Sequence, residues 1–398
     1  MTLLMKGAVL IDGTGKEPVE NSLVIIEENR IVYAGPDDPR RGIPGAEFID
    51  LTGKTVMPGL IDIHIHMDLH GMADTFMENL VEDKLRSIRA VKAMQDTLYG
   101  GITTVRNVGS VNHIDFAVKT ALQEGMFEGP RILTCGKIIS MTAAGNDYFL
   151  GMYREADGCD EVRKAAREQI KAGADWLKLM ATGAYMNPGG VPGAPQLSRE
   201  EMAVVVEEAD KLGLKVAAHA HGRQGIIDAI EAGAATIEHG TFLDDEVIEL
   251  MIRRNVYLVP TIVVGYLMLR HGVEEGVPEF MLEKTRSSEL KCRENLGRAI
   301  KAGVKIAFGS DAGTNYNYHG RNALELVLMV DEGLMTPLQA IHSATGVSAE
   351  ALGLSGQTGT LESGKAADLV VLEGSMESSL KPLLENIEMV YRDGKRFR

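Results

Sequence analysis

The chain has 398 residues, 45% of them hydrophobic and 24% charged, with a net charge of −15, which is the make-up of a globular protein rather than a fibrous or disordered one. The negative balance argues against nucleic acid or an anionic membrane as the main partner, since both need a basic surface. The length allows one large α/β unit with a smaller one beside it, or two or three domains of average size.

Cys135, Cys159 and Cys292 lie far apart and form no Cys-x-x-Cys pair. Neither a thiolate zinc site nor a disulfide framework is indicated, and reduced thiols in a cytoplasm fit best. The start, Met1 to Leu10 followed by Asp12 and Gly13, has no basic stretch ahead of an apolar core. No apolar run approaches the roughly 20 residues of a membrane span.

Residues 1–58 read as short strands, Leu3 to Leu10, Ser22 to Glu27, Arg30 to Ala34 and Glu47 to Asp50, with turns at Asp12-Gly13-Thr14-Gly15, Glu28-Asn29 and Gly42-Ile43-Pro44-Gly45. Strands this short with turn residues between them imply a small antiparallel sheet without visible chemistry.

From residue 59 a pattern repeats: a helical stretch ends at glycine or an amide residue and a short apolar strand follows. It recurs at Gly100-Gly101, Gly173, Gly213, Gly233, Asn255 and Gly303, each reading as a left-handed helix stop that feeds a buried strand. With Leu60 to His64 before the set and Arg131 to Thr134 within it, the count reaches the eight strands of a (β/α)8 TIM barrel. Ser198-Arg-Glu-Glu201 reads as a capping box for a helix to Leu212, and Glu78 to Leu98 and Glu279 to Ile300 read as long amphipathic helices. An open dinucleotide-binding sheet is disfavoured because no Gly-x-Gly-x-x-Gly follows a first strand.

The chain ends in strand character again, Gly364 to Leu372 and Asn386 to Tyr391, with a turn at Asp393-Gly394. The two ends are expected to pair into one small β-sandwich domain, residues 1–58 with 356–398, beside a barrel of residues 59–355.

The chemistry centres on Pro58-Gly-Leu-Ile-Asp-Ile-His64-Ile-His66. Side chains alternate along a strand, so His64 and His66 project together, and two neutral imidazoles at a strand end suit a divalent transition metal. An ordinary strand that happens to carry two histidines would explain an isolated His-x-His, but the other strands carry matching residues. The fourth holds Lys178, the fifth ends in His219, the sixth in Glu238-His239-Gly240 and the eighth in Gly309-Ser310-Asp311. Functional side chains of a barrel gather at these strand ends.

On these residues the chain resembles the amidohydrolase superfamily over nearly its whole length. The Pro58–His66 stretch, Glu238-His239-Gly240 and Gly364-Lys-Ala-Ala-Asp-Leu-Val-Val-Leu372 carry the match. Ala174 to Gly183 and Ala217-Ala-His-Ala-His-Gly222 look like the branch of Xaa-Pro dipeptidase-like and imidazolonepropionase-like proteins. The resemblance implies that His64, His66 and Asp311 hold one divalent metal ion and His219 and His239 a second, zinc being the first choice. It also implies that Lys178 bridges them as a carbamate derived from carbon dioxide. A free ammonium has no lone pair for a metal, whereas a carboxylated lysine offers two anionic oxygens. An ordinary ion pair near the barrel mouth is the alternative for Lys178.

Two such metals would share a hydroxide near neutral pH and polarise a carbonyl, with Asp311 moving the proton to the leaving amine. The expected activity is hydrolysis of amide bonds in a small-molecule substrate, a dipeptide or an N-acyl amino acid. The alternative is a mononuclear deaminase or a hydrolase of a cyclic amide or amidine. Deaminases of this type usually carry a glutamate shortly after the strand-five histidine, and here His219-Ala-His-Gly-Arg-Gln224 has none. A non-enzymatic metal-binding relative should have lost a ligand, and none is missing.

His221 is a candidate for binding a substrate carboxylate or carbonyl, with support of a metal ligand as the other reading. His319, in the loop after the last strand, is a candidate pocket residue. Arg106 reads as a structural ion pair, and His70, His113, His271 and His342 as ordinary. The loop Ser140 to Asp147 departs from dipeptidase-like relatives, which often carry a histidine there, so the substrate stays open. Self-association is expected, being common among relatives.

Overall fold

The computed structural model describes residues 2–41 and 43–398, so Met1 and Gly42 of one expected turn lie outside the described residues. The N-terminal strands are β1 (Thr2–Lys6), β2 (Val9–Leu10), β3 (Ser22–Glu27), β4 (Arg30–Pro36), β5 (Glu47–Asp50) and β6 (Lys54–Pro58). The expected strand Leu3 to Leu10 breaks at Gly7, whose φ of 92° no other residue type adopts readily. Its halves enter different sheets: β1 joins β3 and β5, whereas β2 joins β6. The β1–β5 and β2–β6 pairs are parallel, which corrects the all-antiparallel sheet expected for this stretch.

The central strands are β7 (Leu60–Ile65), β8 (Ile102–Asn107), β9 (Arg131–Thr134), β10 (Ile138–Ser140), β11 (Tyr153–Glu155), β12 (Trp176–Met180), β13 (Lys215–Ala220), β14 (Thr236–His239) and β15 (Tyr257–Val259). They form two parallel sheets, β7-β8-β9 and β11-β10-β12-β13-β14-β15. The Asp175 N–H donates to Thr134 O at 2.8 Å between them. The expected eighth strand is reduced to an isolated parallel bridge, Ile306 to Leu258. Around it Ala307 N–H donates to Leu258 O and Ile63 N–H to Phe308 O, both at 2.9 Å, so this segment joins β15 on one side and β7 on the other.

Positive φ values of 109° at Gly173, 104° at Gly233 and 94° at Gly303 end three of the helices that connect these strands. The helix Arg199–Asp210 opens on the expected capping box, with Glu201 N–H donating to Ser198 Oγ and Ser198 N–H to Glu201 Oε2. The long helix expected from Glu279 to Ile300 is two, Glu279–Arg286 and Glu289–Ala302. At the break the Ser288 hydroxyl bonds the Lys284 and Thr285 carbonyls, competing with the backbone ladder, and also the Tyr185 hydroxyl at 2.5 Å. The stretch expected as a helix from Glu78 is likewise a 3-10 turn, Thr75–Leu80, and a helix, Asp83–Tyr99.

At the C-terminal end β16 (Leu369–Glu373), β17 (Ile387–Arg392) and β18 (Lys395–Arg396) complete a sheet of order β18-β17-β16-β6-β2, so strands from both ends of the chain pair directly. Leu3, Met5, Val24, Ile26, Val56, Leu369, Val371 and Tyr391 share one buried apolar cluster. A larger cluster packs the central strands against their helices. Among the described residues no helix is long and apolar enough to cross a membrane.

Candidate metal centre

His64 in β7 and His66 one residue past its end project to the same side, with ring centroids 5.7 Å apart. His219 comes from β13, His239 from the last position of β14, and Asp311 from just beyond the segment that bridges β15 and β7. The structure brings all five together with Lys178 of β12 around one cavity. Ligand atoms of His64, His239 and Asp311 lie within 4.8 Å of one another, and so do those of His219, His221 and His239.

Hydrogen bonds fix which ring nitrogen faces the cavity. The Glu238 carboxylate can only accept, so His64 Nδ1–H donates to its Oε2 at 2.6 Å. His66 Nδ1–H donates to Gly109 O at 3.0 Å. His239 Nδ1 lies 2.7 Å from Thr261 Oγ1, and His221 Nδ1 2.8 Å from Thr241 Oγ1. The Nε2 atoms of His64 and His66 both face Asp311 Oδ1, at 3.4 and 3.5 Å. For the His66 ring, neutral and donating from Nδ1, this sets a lone pair against a carboxylate oxygen, and a cation shared by the three atoms removes the conflict.

Two further atoms point the same way: Lys178 Nζ and His219 Nε2 are buried without a hydrogen-bond partner, as is Asp311 Oδ1 itself. Unpaired buried polar atoms are rare in folded proteins. Imidazoles and a carboxylate are the donor set of a divalent transition metal, so the residues present fit a metal centre.

Burial sets most of the charge states. It lowers the proton affinity of His66 to a pKa of about 4 and of His221 to about 3, and drives His219 and His239 well below the ordinary value, helped by neighbouring histidines. These rings stay neutral at physiological pH, the form a metal requires. Burial also lowers His64, but the Asp311 and Glu238 carboxylates together carry the net shift upward. Lys178 falls to about 8 because burial strips its ammonium of water. Burial alone would raise Glu238, but the Arg106 guanidinium and the Lys178 amine hold it below the usual carboxylate range. Arg106 serves as the structural partner expected: it bonds Glu238 at 2.8 Å and Ile63 O at 2.6 Å, with its guanidinium over the Trp176 ring.

His221 lines the cavity, stacked on His239 with centroids 4.7 Å apart. His319 does not line it, which corrects its expected place in the pocket: His319 Nε2 lies 3.2 Å from His66 O and 3.1 Å from Leu69 O, tying down the loop after β7. The outer wall is largely apolar, including Phe149, Met152, Met186, Ile262 and Met268, with Tyr153 and Tyr185 among its polar groups. Sequence reasoning gave no role to Glu238, Thr261 or Asp62. Asp62 is buried and accepts the N–H groups of His64 and Ser310, both at 3.1 Å, locking the two ligand-bearing segments together. An acid placed two residues before His64 within an apolar strand was the available signal for it.

Parallel strands connected by helices carry, at their ends, a His/Asp cluster of the kind that holds a metal in an α/β protein. Residues 55–397 match the profile of the amidohydrolase family, and the chain belongs to that family. The chain is 32% identical to ochratoxinase from Aspergillus niger, over all of this chain and 87% of that one. A crystal structure of a Xaa-Pro dipeptidase with methionine bound in its active site superposes with a TM-score of 0.92 at 34% identity, covering both chains fully. A prolidase complexed with N-methylphosphonate-L-proline superposes with a TM-score of 0.91 at 31% identity, again over both whole chains. Membership of the family and these neighbours imply a TIM-barrel fold, and they make the protein a hydrolase of C–N bonds.

Proposed function

We propose that the protein is a metal-dependent hydrolase of amide bonds in dipeptides or N-acyl amino acids, working with two divalent metal ions, zinc in the first instance. The observation that carries the reading is the convergence of His64 Nε2 and His66 Nε2 on Asp311, with the partnerless Lys178 amine and His219 nitrogen beside them. In this reading His64, His66 and Asp311 hold one ion and His219 and His239 the other. Lys178 would hold both ions as a carbamate, which its lowered proton affinity favours because only the neutral amine adds carbon dioxide. The framework is a (β/α)8 barrel of residues 59–355 flanked by a β-sandwich domain of residues 1–58 and 356–398.

When bound, the ions supply hydroxide near neutral pH and polarise the scissile carbonyl. Asp311 accepts the proton of the attacking water and returns it to the leaving nitrogen. His221, neutral and held by Thr241, presents Nε2 to the substrate carbonyl or carboxylate. The apolar outer wall takes the substrate side chains and keeps bulk water out.

Metal content per chain, measured with release of free amino acid from a panel of dipeptides and N-acyl amino acids, tests the reading. Two equivalents with amide cleavage support it. One equivalent, with ammonia from nucleobase-type substrates and no amide cleavage, would replace it with the mononuclear deaminase alternative.

A further inference from the structure

Thr261 and Glu325 have no part in the reading above; the structure ties Thr261 to His239 and Glu325 to the helix that Thr261 precedes. Thr261 precedes the helix Ile262–His271 with φ of 52° and ψ of 41°, a left-handed conformation uncommon for a β-branched residue. A threonine in that place ordinarily caps its helix with its own hydroxyl. Thr261 makes no such bond; its Oγ1 lies 2.7 Å from His239 Nδ1 instead.

The N–H groups that this leaves open are taken by a different helix, Leu324–Asp331. Its Glu325, fully buried, accepts Ile262 N–H on Oε1 at 2.9 Å and Val263 N–H on Oε2 at 2.7 Å. The two bonds satisfy donors that would otherwise be orphaned indoors. Pro260, Thr261 and Ile262 all line the cavity, so the capped turn is part of the site wall.

We propose that Glu325 is a positioning residue: by capping Ile262–His271 in place of Thr261, it releases the Thr261 hydroxyl to hold the His239 ring with Nε2 turned to the metal cluster. The proposal rests on the reading of His239 as a metal ligand. Partners that orient a ligating histidine are typically worth roughly 10–100-fold in metal affinity.

The test is zinc titration of the chelator-stripped full-length protein by equilibrium dialysis, with no activity readout. Thr261→Val and Glu325→Ala should each weaken one zinc equivalent by about 10–100-fold and leave the other unchanged. Thr261→Ser, which keeps the acceptor, should bind like wild type. The double variant should be no weaker than the worse single one, because both changes break one chain of contacts. If Glu325→Ala does not fold, Glu325→Gln carries the same test, since its amide can accept only one of the two N–H groups. Wild-type zinc affinity in the Glu325 variants, even with lowered melting temperature, would make Glu325 a helix cap only and overturn the proposal. A wild-type protein that binds no zinc would overturn the metal reading itself, a different outcome from an insensitive Glu325.

Discussion

Replacing Lys178 by methionine should make the metal-free protein more stable while abolishing turnover of the metal-loaded one. The Lys178 amine is buried with no hydrogen-bond partner, and its pKa drops from the usual 10.5 to about 8. Loss of hydration is the main cause; Glu238 opposes the drop and Arg106 adds to it. At about 1.4 kcal/mol for each tenfold change in proton affinity, the ammonium costs the fold roughly 3 kcal/mol. The sign follows from proton counting. Between pH 8 and 10.5 the unfolded chain holds the proton and the folded one has released it, so stability rises with pH through that window and the full cost applies below it. Methionine has similar length and no charge, so it removes the cost with little change of packing. Urea midpoints of chelator-stripped wild type and Lys178→Met, at pH 7, 8, 9 and 10, should show the variant ahead by roughly 2–3 kcal/mol at pH 7, with most of the gap gone at pH 10. A variant no more stable than wild type at pH 7, or a gap that ignores pH, would refute the account of Lys178 as a penalised buried amine. In the loaded enzyme, Lys178→Ala should recover part of its turnover when short carboxylic acids fill the vacated bridge.

Three other perturbations separate the site from the scaffold. His64→Ala should lose metal, measured by elemental analysis, together with turnover, and chelated wild type should regain activity on addition of zinc or manganese. Glu238→Ala strands the fully buried Arg106 guanidinium without its partner and should cost about 3–5 kcal/mol in a urea titration. Ser198→Ala removes one half of a capping box at an exposed position that does not line the cavity and should cost about 1 kcal/mol with kcat unchanged.

Where structure depends on a few consecutive residues, the sequence foretells it well. A helix that must stop and feed a strand needs a left-handed residue at its end, and Gly173, Gly233 and Gly303 supply one without steric cost. The Ser198 capping box spans four residues and is equally local. Pairing between distant segments leaves no such trace. Nothing within Glu47–Asp50 states that it will join β1 in parallel, and Lys54–Pro58 looks like a lead-in to β7 until β16 pairs with it. The break at Ser288 is similar: amphipathic spacing runs through it, and what ends the helix is a hydroxyl engaged by Tyr185, 103 positions away.

The site divides along the same line. Residue types at strand ends bring His64, His66, Lys178, His219, His239 and Asp311 into view, because alternation and the βα repeat predict where each side chain points. Which nitrogen of each ring faces the cavity is decided by Glu238, Gly109 and Thr261, partners that only the fold assembles. His319 shows the limit from the other side: its loop position foretold nearness to β7 but not direction, and the ring turns to backbone carbonyls. Backbone conformation at the centre was hidden for a more specific reason. His239, Thr261 and Asp311 have φ of 72°, 52° and 56°, values for which glycine is the usual residue and therefore the usual marker in a sequence. A glycine at any of the three would relax the backbone and delete an imidazole, a hydroxyl or a carboxylate that faces the cluster. Strain accepted for the sake of a side chain carries no glycine to announce it, so the left-handed turns that shape this site are the ones a reading built on glycine cannot find.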